Sequence, residues 1–368
     1  MQWIGGLALI AVILYDIFFA VVLPRRTGTF LRWSRYLIVA AWPIWRSIGM
    51  RLQPAWRRED FLGTFAPLTI LLLLFSWTLG LVLGFGLTVH AVRGDFQPPI
   101  LDFSTSVYVA GTSLLTIGFG DVVAISTGAR FLMLAAGAAG LTIVALVITL
   151  MYTLYASFAR REVLVLALDS RAGVPPSGVT LLETYAQFDI LDELAETFTR
   201  FELWTAEMLD SHLAYPILPY FRSSHDGQSW VSALGAVLDA ATLLAVAVDR
   251  DHPSAPAPKV RASAEMFYSI GCHAIIDLTQ VRWFFAQFDP ASEGPGIERA
   301  EFEAACQQLA ESGLRVDYSE ETWLVFAQRR AIYATRLNLL AQYLSTPPAP
   351  WVGDRSSLAN LLAPHLGH

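Results

Sequence analysis

Six consecutive residues near the middle of the chain have the types and spacing to bind a dehydrated cation through main-chain oxygens. They are Thr116, Ile117, Gly118, Phe119, Gly120 and Asp121. Such a site replaces the water shell of an ion with carbonyl oxygens that all face one side of an extended segment. An ordinary strand alternates its carbonyls, but glycine tolerates positive φ and lets the peptide planes turn. The hexamer therefore predicts a cation site built from backbone.

Two long uncharged stretches flank this hexamer. Residues 61–92 include 32 positions without Asp, Glu, Lys or Arg, and residues 131–159 include 29 more. Each exceeds the roughly 20 residues that a helix needs to cross a bilayer. A moderately apolar stretch, 103–115, has the length of a short helix and precedes the hexamer. The order of elements is therefore span, short helix, hexamer, span.

In this order of elements the chain resembles the two-transmembrane pore module of the potassium channel superfamily. The T-I-G-F-G-D form is similar to the filters of two-pore-domain and related prokaryotic channels, in which Phe stands where Tyr is more common. The resemblance covers about 62–159. It implies an outer helix at 61–92, a pore helix and filter at 103–121 and an inner helix at 130–159. It implies K⁺ as the permeant ion, and neither a cofactor nor an enzymatic activity.

The resemblance assigns a role to each residue of the filter. Potassium is expected to bind the backbone carbonyls of Thr116, Ile117, Gly118 and Phe119, with Gly120 completing the filter and Thr112 and Asp121 supporting it. The side chains of Ile117 and Phe119 are expected to pack against the pore helix. Asp121 is expected either to anchor the filter by a hydrogen bond or to raise the local concentration of cations.

Glycines in the two spans have two interpretations. Gly140 lies twenty residues after Gly120, where inner helices of this family place a gating hinge, and Gly137 is near it. Close packing of small residues between helices is the alternative. Gly80 and Gly84 form a G-x-x-x-G in the outer helix, and we interpret that pair as a packing motif.

One filter segment per chain cannot surround an ion. The sequence has no internal repeat that supplies another, so a homotetramer is expected. We expect a potassium-selective channel gated at the inner helix and by the cytoplasmic half. The alternatives are a non-selective cation channel and a non-conducting membrane sensor or scaffold, because more than half of the chain has no recognised transport role.

The distribution of charge predicts the topology. Residues 1–64 have eight Arg against three acidic residues, and residues 161–368 have 14 basic against 26 acidic residues, within a net charge of −7. Basic segments stay cytoplasmic. The N-terminus is therefore expected outside, with the acidic half in the cytoplasm.

An acidic balance argues against a nucleic-acid partner. The only lysine, Lys259, beside 24 arginines is typical of GC-rich bacterial coding, and so of a plasma membrane.

The N-terminal region adds elements to the pore module. Residues 1–24 are predicted to form a retained transmembrane anchor, and 25–60 a basic cytoplasmic segment in which 37–45 is an interfacial helix or a re-entrant piece. Asp16 in the anchor is either a functional intramembrane acid or a residue that snorkels or caps at the interface. His90, near the outer end of the second span, is expected to be interfacial without a role, or to tune gating by external pH.

The acidic half predicts a separate helical domain. We expect a linker at 161–180, a cytoplasmic domain of five helices at 181–345 and a Pro-rich tail at 346–368. The expected helices are 181–208, 230–248, 260–288, 298–312 and 319–344. No family is recognised for this domain, and an unknown cytoplasmic ligand or protein partner stays open. The fold class is an all-α membrane protein in contact with lipid, with a tetrameric channel pore, an extra N-terminal span and a cytoplasmic helical domain.

Overall fold

The computed structural model of this chain describes residues 1–23, 33–225, 227–250, 252, 255–280 and 294–353. Contacts between Cα atoms divide the chain into two units. We call the first the membrane unit; it comprises Met1–Leu52, Arg58–Ala156 and Ala214–Ile217. We call the second the helical unit; it comprises Gln53–Arg57, Ser157–Leu213 and Leu218–His368. The described residues are mostly helical.

The described residues up to 172 form six α-helices. They are α1 (Gln2–Ile17), α2 (Trp33–Gly49), α3 (Ala55–Gly63), α4 (Phe65–Ala91), α5 (Phe103–Leu114) and α6 (Thr127–Ala172). A π-helical turn, Phe18–Val22, continues α1. Two short antiparallel strands, β1 (Phe96–Gln97) and β2 (Val123–Ala124), pair Phe96 with Ala124. This ribbon closes the loop that contains α5 and the hexamer.

Three helical segments are long and apolar enough to cross a membrane. They are Gln2–Val22, Ala55–Ala91 and Thr127–Ala172. They coincide with the three uncharged or nearly uncharged stretches of the sequence, as expected for helices whose side chains face hydrocarbon. The chain is therefore a membrane protein.

The G-x-x-x-G of the second span is a packing motif, as predicted. A Cβ atom on Gly84 would lie 2.8 Å from Cγ1 of Ile10 in α1, and one on Gly6 would lie 2.7 Å from the carbonyl oxygen of Gly84. Small residues let α1 and α4 approach this closely. The first span is therefore packed closely against α4.

The helical unit has six helices in its described residues. They are α7 (Gly178–Gln187), α8 (Leu194–Ala214, whose last residue belongs to the membrane unit), α9 (Trp230–Val246), α10 (Pro258–Thr279), α11 (Arg299–Glu311) and α12 (Glu320–Leu344). Helix α9 is buried over nearly its whole length and contacts α7, α10 and α12. The all-round apolar character of 230–248 thus indicates a central core helix of this unit.

Buried charges hold the core of the helical unit together. Nε of Arg330 in α12 donates to Oδ1 of Asp239 in α9 over 2.8 Å, and the hydroxyl of Tyr333 donates to the same oxygen over 2.6 Å. Arg330 also donates to the carbonyl oxygen of Trp351 over 2.8 Å. Asp239 and Arg330 are at most 1% exposed. Removal of either side chain would therefore leave the charge of the other buried without a counter-charge.

The structure corrects the predicted linker at 161–180 and the predicted end of the inner helix at 159. Helix α6 continues to Ala172, and only 173–177 separate it from α7. The Arg160-Arg161 pair ends the apolar stretch but not the helix, because arginine is a good helix former. The linker composition at 173–178 marks a tight turn in which Gly173 has a φ of 76°.

One further boundary differs from the sequence prediction. The single helix expected at 181–208 is divided at 188–193, where Asp189 has a φ of 58°, so α7 and α8 replace it. The apolar periodicity continues across this break and conceals it.

Part of the helix expected at 260–288 and most of the tail expected at 346–368 lie outside the described residues. The described start of that tail packs on the unit, with Ala349 and Val352 buried.

Candidate functional site

The candidate ion-conducting site is the hexamer 116–121 with α5, the helix that precedes it. Helix α5 begins after Asp102, whose carboxylate accepts hydrogen bonds from the side chains of Ser104 and Thr105 and from the backbone N–H of Thr105, the last over 2.7 Å. These hydrogen bonds lower the pKa of Asp102 to about 2, and the bond from the Ser104 hydroxyl has the largest effect. The ionised cap fixes the start of α5.

The end of α5 turns directly into the hexamer. The carbonyl oxygen of Thr112 accepts hydrogen bonds from the N–H groups of Ile117 over 2.8 Å and of Gly118 over 3.1 Å. The carbonyl of Ser113 accepts from the N–H of Thr116 over 3.0 Å. The end of α5 thus holds the first half of the hexamer in place. Thr112 supports the hexamer through its main-chain carbonyl and not through its side chain.

Every second residue of the hexamer has a left-handed backbone conformation. The φ angles are 55° at Thr116, 57° at Gly118 and 77° at Gly120. The positive φ anticipated for the two glycines is present, and the one at Thr116 was not anticipated. A plain strand would alternate its carbonyls, so a reversed φ at alternate residues is the pattern needed to turn successive carbonyls to one side.

Tyr108 of α5 contacts the second half of the hexamer. Its hydroxyl donates to Oδ2 of Asp121 over 3.0 Å, and its ring lies parallel to that of Phe119 with centroids 6.3 Å apart. Of the two expected functions of Asp121, the hydrogen-bonded anchor is the one that this geometry provides. In one chain Phe119 is 68% exposed and lies beside α5 only through the Tyr108 ring, and Ile117 is 51% exposed, so the predicted packing of these two side chains stays a prediction. Sequence reasoning missed Tyr108, although an aromatic residue with a hydroxyl on the pore helix was a usable signal.

The small residues of α6 contact the end of α5. A Cβ atom on Gly140 would lie 1.7 Å from the carbonyl oxygen of Leu114, and one on Gly137 would lie 3.5 Å from that of Ser113. The hydroxyl of Ser113 donates to the carbonyl of Met133 in α6 over 2.8 Å. Gly140 therefore has a packing reason to be glycine, and α6 is helical through it.

Asp16 is buried within the membrane unit, at 1% exposure. Its carboxylate accepts hydrogen bonds from Nε1 of Trp77 over 2.8 Å and from the N–H and the hydroxyl of Ser34, each over 3.1 Å. Of the two sequence interpretations, the capping one is correct in part: Asp16 caps the start of α2, but it does so from a buried position. It joins α1, α2 and α4.

His90 has partners at the outer end of α4. Its Nδ1 lies 3.0 Å from the Ser106 hydroxyl, and its Nε2 lies 3.2 Å from a guanidinium nitrogen of Arg93. The ring meets that of Phe103 edge-on at 5.7 Å between centroids. The histidine thus links the outer helix to the start of α5.

The last turns of α6 lie in the helical unit and form two features there. Arg161 is buried and donates to the carbonyl oxygens of Leu218 over 3.2 Å and Phe221 over 2.6 Å. Further along, a cavity of about 520 Å³ is lined by the end of α6, by α7, by α11 and by the indole of Trp351. Its volume is in the range of small-molecule sites.

Comparison with known proteins finds a family match for part of the membrane unit. Residues 68–157 match the family model described as "Ion channel", a two-transmembrane, potassium channel-like family. No curated protein matches the chain, and no solved structure does. The match covers most of α4, α5, the hexamer and most of the apolar part of α6, and supports the pore module predicted from the T-I-G-F-G-D segment. Residues 68–157 are therefore similar to a family of two-transmembrane ion channels.

Proposed function

We propose that this protein is a potassium-selective channel whose filter is 116–120. The observation that carries the proposal is the alternation of left-handed φ at Thr116, Gly118 and Gly120 in a loop held by the end of α5. Backbone carbonyls turned to one side supply the oxygen ligands that replace the hydration shell of K⁺. The potassium is the permeant ion and is not a bound cofactor.

The channel acts as a homotetramer. Every residue from 115 to 121 is exposed in one chain, and α5 covers the hexamer from one side. Non-helical backbone at membrane depth must be buried in protein or line water. Four copies around one axis satisfy both conditions. Native mass spectrometry of the detergent-solubilised protein tests the stoichiometry; a monomer or dimer as the largest species would contradict it.

Gating involves α6 in this proposal. The helix runs from the contact of Gly140 with α5 to Ala172 in the helical unit, without a linker. The cavity at its end gives a cytoplasmic ligand a place from which to act on the inner helix. We expect the basic segment 25–60 and the helical unit to lie on the cytoplasmic side of the plasma membrane, because basic segments stay on that side. The N-terminus is then outside.

Ion flux into proteoliposomes tests the function. The full chain is expected to take up K⁺ and to exclude Na⁺. Gly118→Ala should abolish selectivity or conduction, because alanine is strained at the φ of 57° found there. Gly94→Ala is the matched control, since a Cβ atom on Gly94 meets nothing within 4 Å. Equal K⁺ and Na⁺ uptake would show a non-selective cation channel, and absence of flux would favour a sensor or scaffold.

A further inference from the structure

Helix α2 presents two different faces. Its Ile38 and Trp42 are buried, and the Trp42 ring meets that of Phe65 at 4.9 Å between centroids. Its Trp33, Ile44 and Ile48 are between 46% and 65% exposed. The charged residues of α2 are Arg35 and Arg46. A helix with basic residues and an exposed apolar and aromatic face is typical of helices that lie in the plane of the membrane interface.

The start of α2 is fixed against the spans. Besides the bonds from Ser34 to Asp16, Nε1 of Trp33 donates to the hydroxyl of Ser76 in α4 over 3.1 Å. The position of α2 relative to α1 and α4 is therefore set by polar contacts, and the space between these helices is a defined feature of the membrane unit.

An apolar groove of about 50 Å³ lies in that space. Its apolar lining comes from the end of the first span, from α2, from the first half of α4 and from the middle of α6. The side chains concerned are those of Ala20, Ile38, Ile70, Leu73, Leu150 and Leu154. Arg35 of α2, part-buried, is the one charged side chain among the described residues that line it. Residues 215–217, which belong to the same unit, complete the wall.

Arg35 gives the groove a positive charge, and the sequence on both sides of Arg35 is basic. Eight arginines occur between residues 25 and 58 of the sequence, and no acidic residue occurs among them. The nearest earlier acid, Asp16, is buried and accepts hydrogen bonds from Ser34 and Trp77. Basic segments beside a membrane span attract anionic lipids.

We propose that this groove is a binding site for an anionic phospholipid. An acyl chain lies against the apolar lining, and the phosphate lies beside Arg35 at the level of α2. A zwitterionic lipid of the same chain length lacks the net negative charge that the arginines select. This site is independent of ion selectivity, because it depends on α1, α2, α4 and α6 and not on the hexamer.

Native mass spectrometry of the full chain in detergent tests the site directly. Phosphatidylglycerol and phosphatidylcholine with identical acyl chains are titrated separately, and the retained lipid is counted. We expect phosphatidylglycerol to be retained at least tenfold more strongly. Arg35→Gln should remove most of that preference, Arg35→Lys should keep it, and Ala20→Phe should reduce the binding of both lipids by filling the groove. Arg171→Gln, in the helical unit, is the matched control.

Several results would overturn the proposal. Equal retention of the two lipids, or an unchanged preference in Arg35→Gln, contradicts the role of charge. Displacement of phosphatidylglycerol by millimolar inorganic phosphate contradicts the role of the acyl chain. If Ala20→Phe fails to fold, Leu73→Phe fills the same groove from α4, and unchanged lipid retention in that variant contradicts the location. Lipid counting does not require conduction, so failure here is distinct from failure of the proposed channel function.

Discussion

The hydroxyl of Tyr108 donates to Oδ2 of Asp121 over 3.0 Å and so ties the middle of α5 to the residue that ends the hexamer. The two residues are 13 positions apart, and the segment between them contains the whole proposed filter. With the Thr112 carbonyl at the inner end, this bond holds the hexamer to one helix at both of its ends.

Tyr108→Phe should weaken the filter without unfolding the protein. The substitution keeps the ring beside Phe119 and removes a hydrogen bond to the carboxylate of Asp121. Because this bond is exposed in one chain, we expect a small effect on stability. The measurement is the melting temperature in K⁺ minus that in Na⁺, which should shrink in the variant. Tyr318→Phe, on an exposed tyrosine of the helical unit, should leave this difference unchanged.

Gly140→Ala should destabilise the membrane unit. The added Cβ atom would lie 1.7 Å from the carbonyl oxygen of Leu114, which is backbone and cannot rotate away. Overpacking of this kind costs about 1–3 kcal/mol or more. Thermal unfolding monitored by tryptophan fluorescence checks this, with Gly128→Ala as the control because its Cβ atom meets nothing within 4 Å. A variant of normal stability with altered gating alone would support the hinge in place of the packing contact.

Arg330→Met should unfold the helical unit at lower temperature. It leaves the buried carboxylate of Asp239 without its cation, a loss of about 3–5 kcal/mol for buried ion pairs. The double variant Asp239→Asn with Arg330→Met removes both charges and should recover much of the stability. Differential scanning calorimetry of the full chain measures both. A double variant no more stable than Arg330→Met would contradict this account.

Acidification should destabilise the helical unit through His212. Burial, followed by the charge of Arg161, lowers the pKa of His212 well below its usual value of 6.5. In the unfolded chain the imidazole binds a proton as the pH falls through about 6.5, whereas the folded protein keeps it neutral, so stability falls below that pH. Melting temperatures between pH 7.5 and pH 5.5 check this dependence. The dependence should be smaller in His212→Gln, and a variant that keeps the full dependence would contradict this account.

The pore module was predictable because its chemistry is local in sequence. The glycines at 118 and 120 determine where φ is positive, and the uncharged stretches determine where helices cross. The contacts of Tyr108, Asp16 and Asp239 depend on how helices rotate against one another. Asp239 and Arg330 are 91 residues apart, and no spacing in the sequence pairs them.

The boundary after the inner helix was not predictable from composition. A paired arginine indicates the end of hydrocarbon, and a Pro-Gly cluster indicates a break in the chain, but neither shows how far the helix between them extends. Helix α6 continues through 161–172 because its buried Val165, Leu168 and Ala172 pack within the helical unit. Tertiary packing determined this boundary.

The bi-ionic reversal potential of single channels in a planar bilayer tests the central claim most directly. Purified full-length protein is recorded with K⁺ on one side and Na⁺ on the other. The account predicts discrete unitary currents whose reversal potential is displaced far from zero, in the direction that opposes K⁺ diffusion from its own side, and loss of that displacement in Gly118→Ala. A reversal potential near zero with robust unitary currents would contradict potassium selection by the carbonyls of 116–119.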